Sequence, residues 1–270
     1  MEENDIREDR DEQPQRGKSV YWILATLLVL LCVAWYGSVQ WKERLLVPQV
    51  LVDGESIVSQ EEILAMVNVP AGAKLYTVDL AAVARAIESN KFIKRAVVRR
   101  NPPLALQVTV VERVPVAYLA SEKSAELLMV DDEACILPHA PGRTIFDVPV
   151  IAGIAAAVCD SVGSCVKDVS LATALEVLRL TRTIAGDVPQ MISEVDMRNS
   201  NEVVVYAVDA GIPIRLGNGA LAEKILKLDG FWKAVVAHEG MQHIKAIDLR
   251  FRDQVIVVRV PDPPQTEKKV

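Results

Sequence analysis

The stretch of this chain that comes nearest to a metal centre is His238-Glu239-Gly240-Met241-Gln242-His243. A zinc hydrolase motif places two histidines four residues apart on one helical face, with a glutamate between them as general base. Here the separation is five, which turns the two imidazoles about 500° apart around a helix axis. Gly240 also reads as a helix stop. The spacing therefore predicts no metal site. Gly217, Gly219 and Ala222 form a loose dinucleotide fingerprint, but a true one sits early in a parallel βαβ unit. This one falls late, in what reads as an antiparallel run, and predicts a turn with a glycine helix entry. Glu61-Glu62 belongs to a capping turn and Asp131-Asp132 to a β-turn, and no Ser/His/Asp or Cys/His set is implied by spacing. The residues ask for no catalytic machinery, cofactor or small-molecule substrate.

Four cysteines complete the reactive side chains. Cys32 lies in an apolar run. Cys159 and Cys165 flank "CDSVGSC" and could close a small disulfide in an oxidising compartment; that pairing would leave Cys135 alone. Free thiols are the other reading, and the spacing favours neither.

The chain has 270 residues and a net charge of −6, enough for one or two domains. Three of those charges come from the first eighteen residues, with seven acids against four bases. A nucleic-acid binder carries a basic face, and the near-neutral remainder argues against one. Lys91, Lys94, Arg95, Arg99 and Arg100 do cluster, as a solvated strand face would.

Residues 19–41, "SVYWILATLLVLLCVAWYGSVQW", carry no charge. A bilayer crossing needs about 20 apolar residues, so this segment spans. Tyr21, Trp22, Trp35, Tyr36 and Trp41 crowd its ends, as interfacial aromatics do. A cleaved signal peptide would have an apolar core of about 7–15 residues, shorter than this. Leu31 is too large for the residue before a lipoprotein cysteine at Cys32. Arg7, Arg10, Arg16 and Lys18 precede the segment, whereas only Lys42 and Arg44 follow it closely. The excess of positive charge before it places the tail 1–18 in the cytoplasm and the bulk of the chain outside.

The elements beyond the anchor divide into two modules. "VPQVLVDG" reads as a strand. Ser59 with Glu62 three residues on has capping-box spacing. Asp79 can cap a second helix, with Leu80, Val83, Ala84 and Ile87 at helical spacing. "FIKRAVVRR" and "LALQVTVVER" are β-rich. The order β-α-α-β-β over 47–116 predicts two helices on a three-stranded sheet. Over 117–260 the pattern predicts short strands at 116–120, 126–131 and 135–137, a loop over 140–153 and a helix over 170–185. Strands at 191–197, 201–208 and 212–216 and a helix over 220–237 follow. The whole is an α+β chain, its second domain mostly antiparallel, with tails at 1–18 and 261–270 that carry no apolar pattern.

The last ordered stretch, "AIDLRFRDQVIVVRV", reads as two strands about a tight turn at Arg252-Asp253-Gln254. Val255-Ile256-Val257-Val258 is strongly β-forming, and nothing after Pro261 can pair with it. Its free edge is therefore a candidate for a partner strand.

These residues together resemble a known family. "VDGESIVSQEEIL", "FIKRAVVRRNPPLALQVTVVERVPVA" with its Glu112-Arg113-x-Pro115-x-Ala117 run, "LMVDDEACIL", "PIRLGNGALAEKILKL" and "IKAIDLRFRDQVIV" resemble, in this order, the FtsQ/DivIB cell-division family. Lys91, Asn101 and Asp132-Glu133 depart from that family's turn residues. The resemblance implies a polypeptide-transport-associated (POTRA) module followed by a β-domain. It also implies a non-catalytic divisome scaffold at the septum of the inner membrane. FtsB and FtsL are the implied partners at the C-terminal edge, and upstream division proteins at the POTRA module. Carried over residue by residue, Arg250 and Phe251 match the family's Arg-aromatic pair, and Val255, Ile256, Val257, Val258, Arg259 and Val260 form the implied edge. Arg250 would meet a partner carboxylate and Phe251 would be an apolar anchor, although its parity with Ile247 and Leu249 equally suits core packing. A POTRA-containing transport or assembly component is the alternative, but such proteins usually carry several modules and a barrel.

Overall fold

A computed structural model describes residues 16–44, 49–70, 73–101, 105–120, 128–139, 145–184, 191–199 and 202–260. Of the tail predicted at 1–18, residues 1–15 lie outside these, as does the tail predicted at 261–270, whereas Arg16–Lys18 already belong to a helix. Helix α1 (Arg16–Arg44) contains the uncharged run. Its Tyr21–Gln40 segment, 20 residues of mean hydropathy 2.1, is long and apolar enough to cross a membrane.

The first module follows the predicted order: β1 (Gln49–Asp53), α2 (Gln60–Met66), α3 (Leu80–Glu88), β2 (Ile93–Asn101) and β3 (Ala105–Glu112). Both helix starts are made as their sequences dictate. Ser59 accepts from the Glu62 N–H while the Glu62 side chain accepts from the Ser59 N–H, a complete capping box. Asp79 Oδ1 accepts from the N–H groups of Ala81 and Ala82. The sheet order is β1-β3-β2, with β1 parallel and β2 antiparallel to the central β3. Alternation along β3 turns Leu106, Val108 and Val110 under the helices, where they meet Ile63, Val83 and Ile87. Each such fully buried aliphatic side chain contributes about 1.5–3 kcal/mol of transfer free energy.

The second module is a nine-stranded sheet of order β12-β11-β10-β9-β8-β7-β4-β5-β6. Its strands are β4 (Pro115–Leu119), β5 (Leu128–Asp131), β6 (Ile136–Leu137), β7 (Val150–Ala152), β8 (Ile192–Asp196), β9 (Val203–Ala207), β10 (Pro213–Gly217), β11 (Ile244–Asp248) and β12 (Ile256–Arg259). Five strand pairs are antiparallel and three parallel, so the sheet is mixed. Helices α4 (Ala156–Cys159), α5 (Val169–Ile184) and α6 (Leu221–Phe231) complete it, α6 running on through a π-helical turn, Trp232–Val236, into α7 (Ala237–Glu239). Leu171 and Val177 of α5 and Ile225 and Leu228 of α6 share one core with Val195, Val205, Ile214 and Ile247 of the sheet.

Four expectations change. The stretch 140–153 is not loop throughout: β7 sits in the middle of the sheet, parallel to both β4 and β8. Three residues between Pro149 and Gly153 are too few for a periodic signal. The glycine turn after β10 is not in a wholly antiparallel setting, because β10 and β11 are parallel and α6 is their crossover. It remains a turn, with Gly217, Gly219 and Ala220 all at positive φ. The helix predicted over 220–237 carries a π-helical turn that its period did not announce.

The fourth change concerns the cysteines. Cys135 is disulfide-bonded to Cys165, and Cys159 is buried outside that disulfide. The segment 163–166 runs beside β6, where Ile136 donates to the Ser164 carbonyl and Val166 to the Ala134 carbonyl. This bridge brings Cys165 opposite Cys135. Cys159 instead ends α4 and packs into the core.

The two modules share side chains. Met129 and Leu137, from β5 and β6, complete the first module's core. Lys94 on β2 pairs with Glu133 at 2.9 Å, and Arg113 joins Asp131 and Glu133. The Lys94 ammonium holds the Glu133 carboxyl below the usual carboxylate range, and Glu133 raises Lys94 in turn.

Candidate partner-binding edge

The two ends of the large sheet are finished differently. At one end β6 is two buried residues long. Its backbone is occupied by 163–166, with Gly163 donating to the Ile136 carbonyl at 2.7 Å. At the other end β12 pairs only with β11, antiparallel, through Asp248↔Ile256, Ile247↔Val257 and Ala246↔Val258. Among the described residues nothing lies along its far side.

One hydrogen bond sets the polarity of that edge. The Val260 N–H donates to the His243 carbonyl at 2.9 Å, so it faces inward. Backbone groups of an antiparallel strand alternate sides. Val258 and Ile256 therefore also face β11, and Val257 and Arg259 direct their N–H and C=O outward. Side chains alternate as well. Val255 and Val257 pack against the core, whereas Ile256, Val258 and Val260 are exposed, Val258 at 45%. The edge thus offers unpaired backbone groups beside an aliphatic row. Arg259 is tied at its tip to Glu239 of α7, at 3.3 Å.

The connection from β11 to β12 is seven residues, 249–255, rather than a tight turn. Leu249 continues inward, fully buried, its N–H on the Arg215 carbonyl. Asp248 then accepts the Arg250 N–H at 3.0 Å and turns the chain out of the strand. Strand parity ends there, and Phe251 projects 45% exposed instead of joining Ile247 and Leu249 in the core.

Arg250 is already engaged within the chain. Its guanidinium donates to both oxygens of Asp248, from Nε to Oδ1 at 3.0 Å and from Nη2 to Oδ2 at 2.6 Å, and its Nη1 lies 3.3 Å from Glu202 Oε1. The contact with Glu202 is ionic without hydrogen-bond alignment, since that oxygen has no hydrogen-bond partner. Arg250 holds the Asp248 carboxyl below its ordinary range, and Asp248 raises Arg250. The aliphatic stem of Arg250 lies over Gly217, where an added Cβ would sit 2.9 Å from Arg250 Cγ. Gly217 has φ +61, so both space and backbone select glycine. Sequence reasoning singled out Arg250 and Phe251, and Gly217 only as a turn glycine; it missed Asp248 and Glu202, the acids that hold Arg250. Asp248 two residues before Arg250 was the available signal, because an aspartate at that offset caps a turn.

The stretches that suggested chemistry are taken up structurally. Gly240 ends α7 with φ 70, so His238 and His243 share no helical face. Asp131, Glu133 and Cys135 cluster closely enough for a cation, but Arg113 donates to both acids and Cys135 is in the disulfide. Lys224 beside the glycine turn is buried, its ammonium on the Asn218 carbonyl, and burial lowers its pKa.

A helix of membrane-spanning length, two helices on a β1-β3-β2 sheet and a large mixed sheet with one open end define a POTRA-bearing protein with an N-terminal apolar helix. Residues 45–113 match the family model described as "POTRA domain, FtsQ-type", and residues 114–258 match "FtsQ/DivIB, C-terminal related". The chain is 31% identical over 266 residues to the cell division protein FtsQ of Anaeromyxobacter sp. (strain K), covering 95% of this chain and 88% of that one. It is 27% identical over 247 residues to FtsQ of Rhodothermus marinus, covering 90% and 86%. For FtsQ of Geobacter sp. (strain M21) the identity is 28% over 204 residues, 75% and 72% of the two chains. The chain belongs to the FtsQ/DivIB family of cell division proteins.

Proposed function

We propose that this chain is a non-catalytic scaffold of the bacterial division complex that captures an FtsB-like protein, together with FtsL, by strand addition at β12. The single observation that supports this is the open end of the nine-stranded sheet, with Val257 and Arg259 directing unpaired backbone groups away from β11. Main-chain pairing supplies affinity in such a complex, and pockets for alternate side chains supply specificity. Ile256, Val258 and Val260 form the apolar row beside the added strand, and Phe251 is the neighbouring anchor. Arg250, held by Asp248 and Glu202, presents its remaining donor capacity to a partner carboxylate. The domains in this reading are a cytoplasmic tail 1–18, an anchor 19–41, a POTRA module 47–116, a β-domain 117–260 and a tail 261–270. The bulk stands outside the cytoplasm at the septum. The POTRA module meets upstream division proteins.

The test is capture of the FtsB–FtsL pair by the full chain in detergent, with Phe251→Lys and Val257→Pro as variants and midcell gathering of a fluorescent fusion as the cellular readout. Both variants are expected to fold and to lose the pair. Unchanged capture by folded variants would overturn the site.

A further inference from the structure

The small sheet has a second face that nothing described covers. The register aligns Leu51, Gln107 and Arg99 in one row, Asp53, Thr109 and Val97 in the next, and Val111 with Arg95 in a third. These residues all point away from α2 and α3, because their neighbours Val52, Leu106, Val108, Val110 and Ala96 are the ones buried beneath the helices. Leu51 is 44% exposed and Val111 50%. The basic residues of β2 divide by face and by partner. Lys94 is paired with Glu133, and Arg100 donates to the carbonyls of Leu75, Tyr76 and Val78 on the helix side. Arg95 and Arg99, both exposed, have no ion pair with any described residue. The single acid of the face, Asp53, accepts from the Gln107 amide at 3.0 Å.

The position of this face along the chain is what gives it a partner. Helix α1 ends at Arg44 and β1 begins at Gln49. Five Cα steps span at most ~18 Å. The register puts Gln49 beside Ala105 and Ala105 beside Asn101, so the sheet end nearest the anchor is also the end nearest Arg99. Arg95 lies six residues from Asn101 at that end, only ~20 Å away at strand rise. A membrane crossed by α1 is therefore always within reach of the whole face, at the high effective concentration of a short tether. Two unpaired arginines among aliphatic side chains suit one surface in particular, a layer of phosphate groups over hydrocarbon.

We propose that the open face of the POTRA sheet docks on the phospholipid surface beside its own anchor, with Arg95 and Arg99 on anionic headgroups and Leu51, Val97 and Val111 against the interface. Docking fixes the orientation of the module, and with it the height of the large sheet above the bilayer. The inference rests on α1 being a membrane anchor and is independent of strand addition at β12.

The experiment uses the full chain reconstituted into vesicles of phosphatidylcholine alone or with 30 mol% phosphatidylglycerol, which are probe compositions. Flotation with the vesicles reports the anchor separately. Val111→Cys in a Cys32→Ala background carries an environment-sensitive label, read by quenching from headgroup-labelled lipids. The expected result is quenching in the anionic vesicles that Arg95→Glu with Arg99→Glu brings down to the neutral-vesicle level, a loss of about fivefold in docking per arginine removed. Arg95→Lys with Arg99→Lys should retain the quenching, and high salt should weaken it. Quenching equal in both compositions, or indifferent to charge reversal in a chain that still floats and retains its circular dichroism spectrum, would overturn the proposal. So would equal shielding of the label in lipid-free detergent, which would assign the face to a second copy of the chain.

Discussion

The guanidinium of Arg113, at the junction of the two modules, donates to the carboxylate of Asp131, which is only 1% exposed. Asp131 Oδ1 also accepts the N–H groups of Glu133 and Cys135 at 3.0 and 2.8 Å. The carboxylate thus fixes the turn between β5 and β6 and ties it to the end of the first module. Removing one member of a buried ion pair leaves the other uncompensated, at a cost of about 3–5 kcal/mol. Arg113→Met is expected at the lower end, ~3 kcal/mol, because two backbone donors remain. Arg113→Met with Asp131→Asn should cost clearly less than the sum of the single changes. Urea unfolding of the four proteins measures the coupling, and simple additivity would refute it.

Glu112, next in sequence, works in the other direction. Its two carboxylate oxygens accept the N–H groups of Ser56, Ile57 and Val58 at 3.1, 2.7 and 2.9 Å. Three consecutive donors around one anion explain how the chain leaves β1 and enters the capping box of α2. Hydrogen bonds to a charged acceptor contribute about 1.5–3 kcal/mol each when well shielded. This site is half exposed to solvent, so Glu112→Gln, which turns an amide N–H₂ toward a donor, should cost ~2 kcal/mol in total. The change should appear as a lowered thermal midpoint, with amide exchange faster over 54–60 than over β12. A uniform change in exchange would contradict the local role.

The bridge from Cys135 to Cys165 closes a loop of 30 residues in sequence separation. In the chain-entropy account such a link restricts the unfolded chain by roughly 3–4 kcal/mol, an upper figure. Cys135→Ser with Cys165→Ser should therefore lower the stability of the second module by up to ~3 kcal/mol. Cys159→Ala should leave the disulfide intact. Peptide mapping under non-reducing conditions decides the pairing, and a 159–165 peptide would overturn it.

Most of the framework could be read from local signals. Ser59-x-x-Glu62 and Asp79 announce their helices because capping uses side chains adjacent to the helix they start. Alternation in 93–101 and 105–112 gives the hairpin for the same reason. What escaped depends on distant residues. Cys165 finds Cys135 only because 163–166 lies along β6, and three residues of β7 become a central strand only because β4 and β8 flank them. The edge was legible because it rests on composition: four β-branched residues and then proline. Phe251 was ambiguous, since its parity is cancelled by a turn that Asp248 makes with its own side chain.

That turn has a pH dependence. The Asp248 carboxyl is held low chiefly by its hydrogen bond to the Arg250 side chain. A carboxyl depressed in the folded chain contributes stability above its ordinary, unfolded value, and that stability is lost as pH falls through the folded value. The 249–255 connection should therefore loosen on acidification below the usual aspartate range and stay ordered at neutral pH. Asp248→Asn should loosen it at neutral pH and flatten the profile. Amide exchange of Arg250 and Phe251 against pH is the measurement, and an unchanged profile in the variant would remove Asp248 from this role.

The edge itself yields the sharpest contrast, between neighbouring residues of one strand. The N–H of Val257 faces away from β11, so Val257→Pro deletes no ladder bond within the chain, and edge strands tolerate proline in that position. The N–H of Val258 faces β11, so Val258→Pro breaks the ladder at Ala246 and costs about 1–3 kcal/mol. For strand addition the expected order is inverted relative to stability. Val257→Pro should leave the thermal midpoint within a few degrees and weaken capture of the division partner at least tenfold, because it removes a donor that only the partner uses. Val258→Thr, a substitution with no backbone effect, should weaken capture modestly by making the aliphatic row polar. Binding measured alongside thermal unfolding separates the two quantities. If Val257→Pro binds as the parent does, the partner does not pair with this backbone, and the exposed row of Ile256, Val258 and Val260 would have to be recognised through side chains alone.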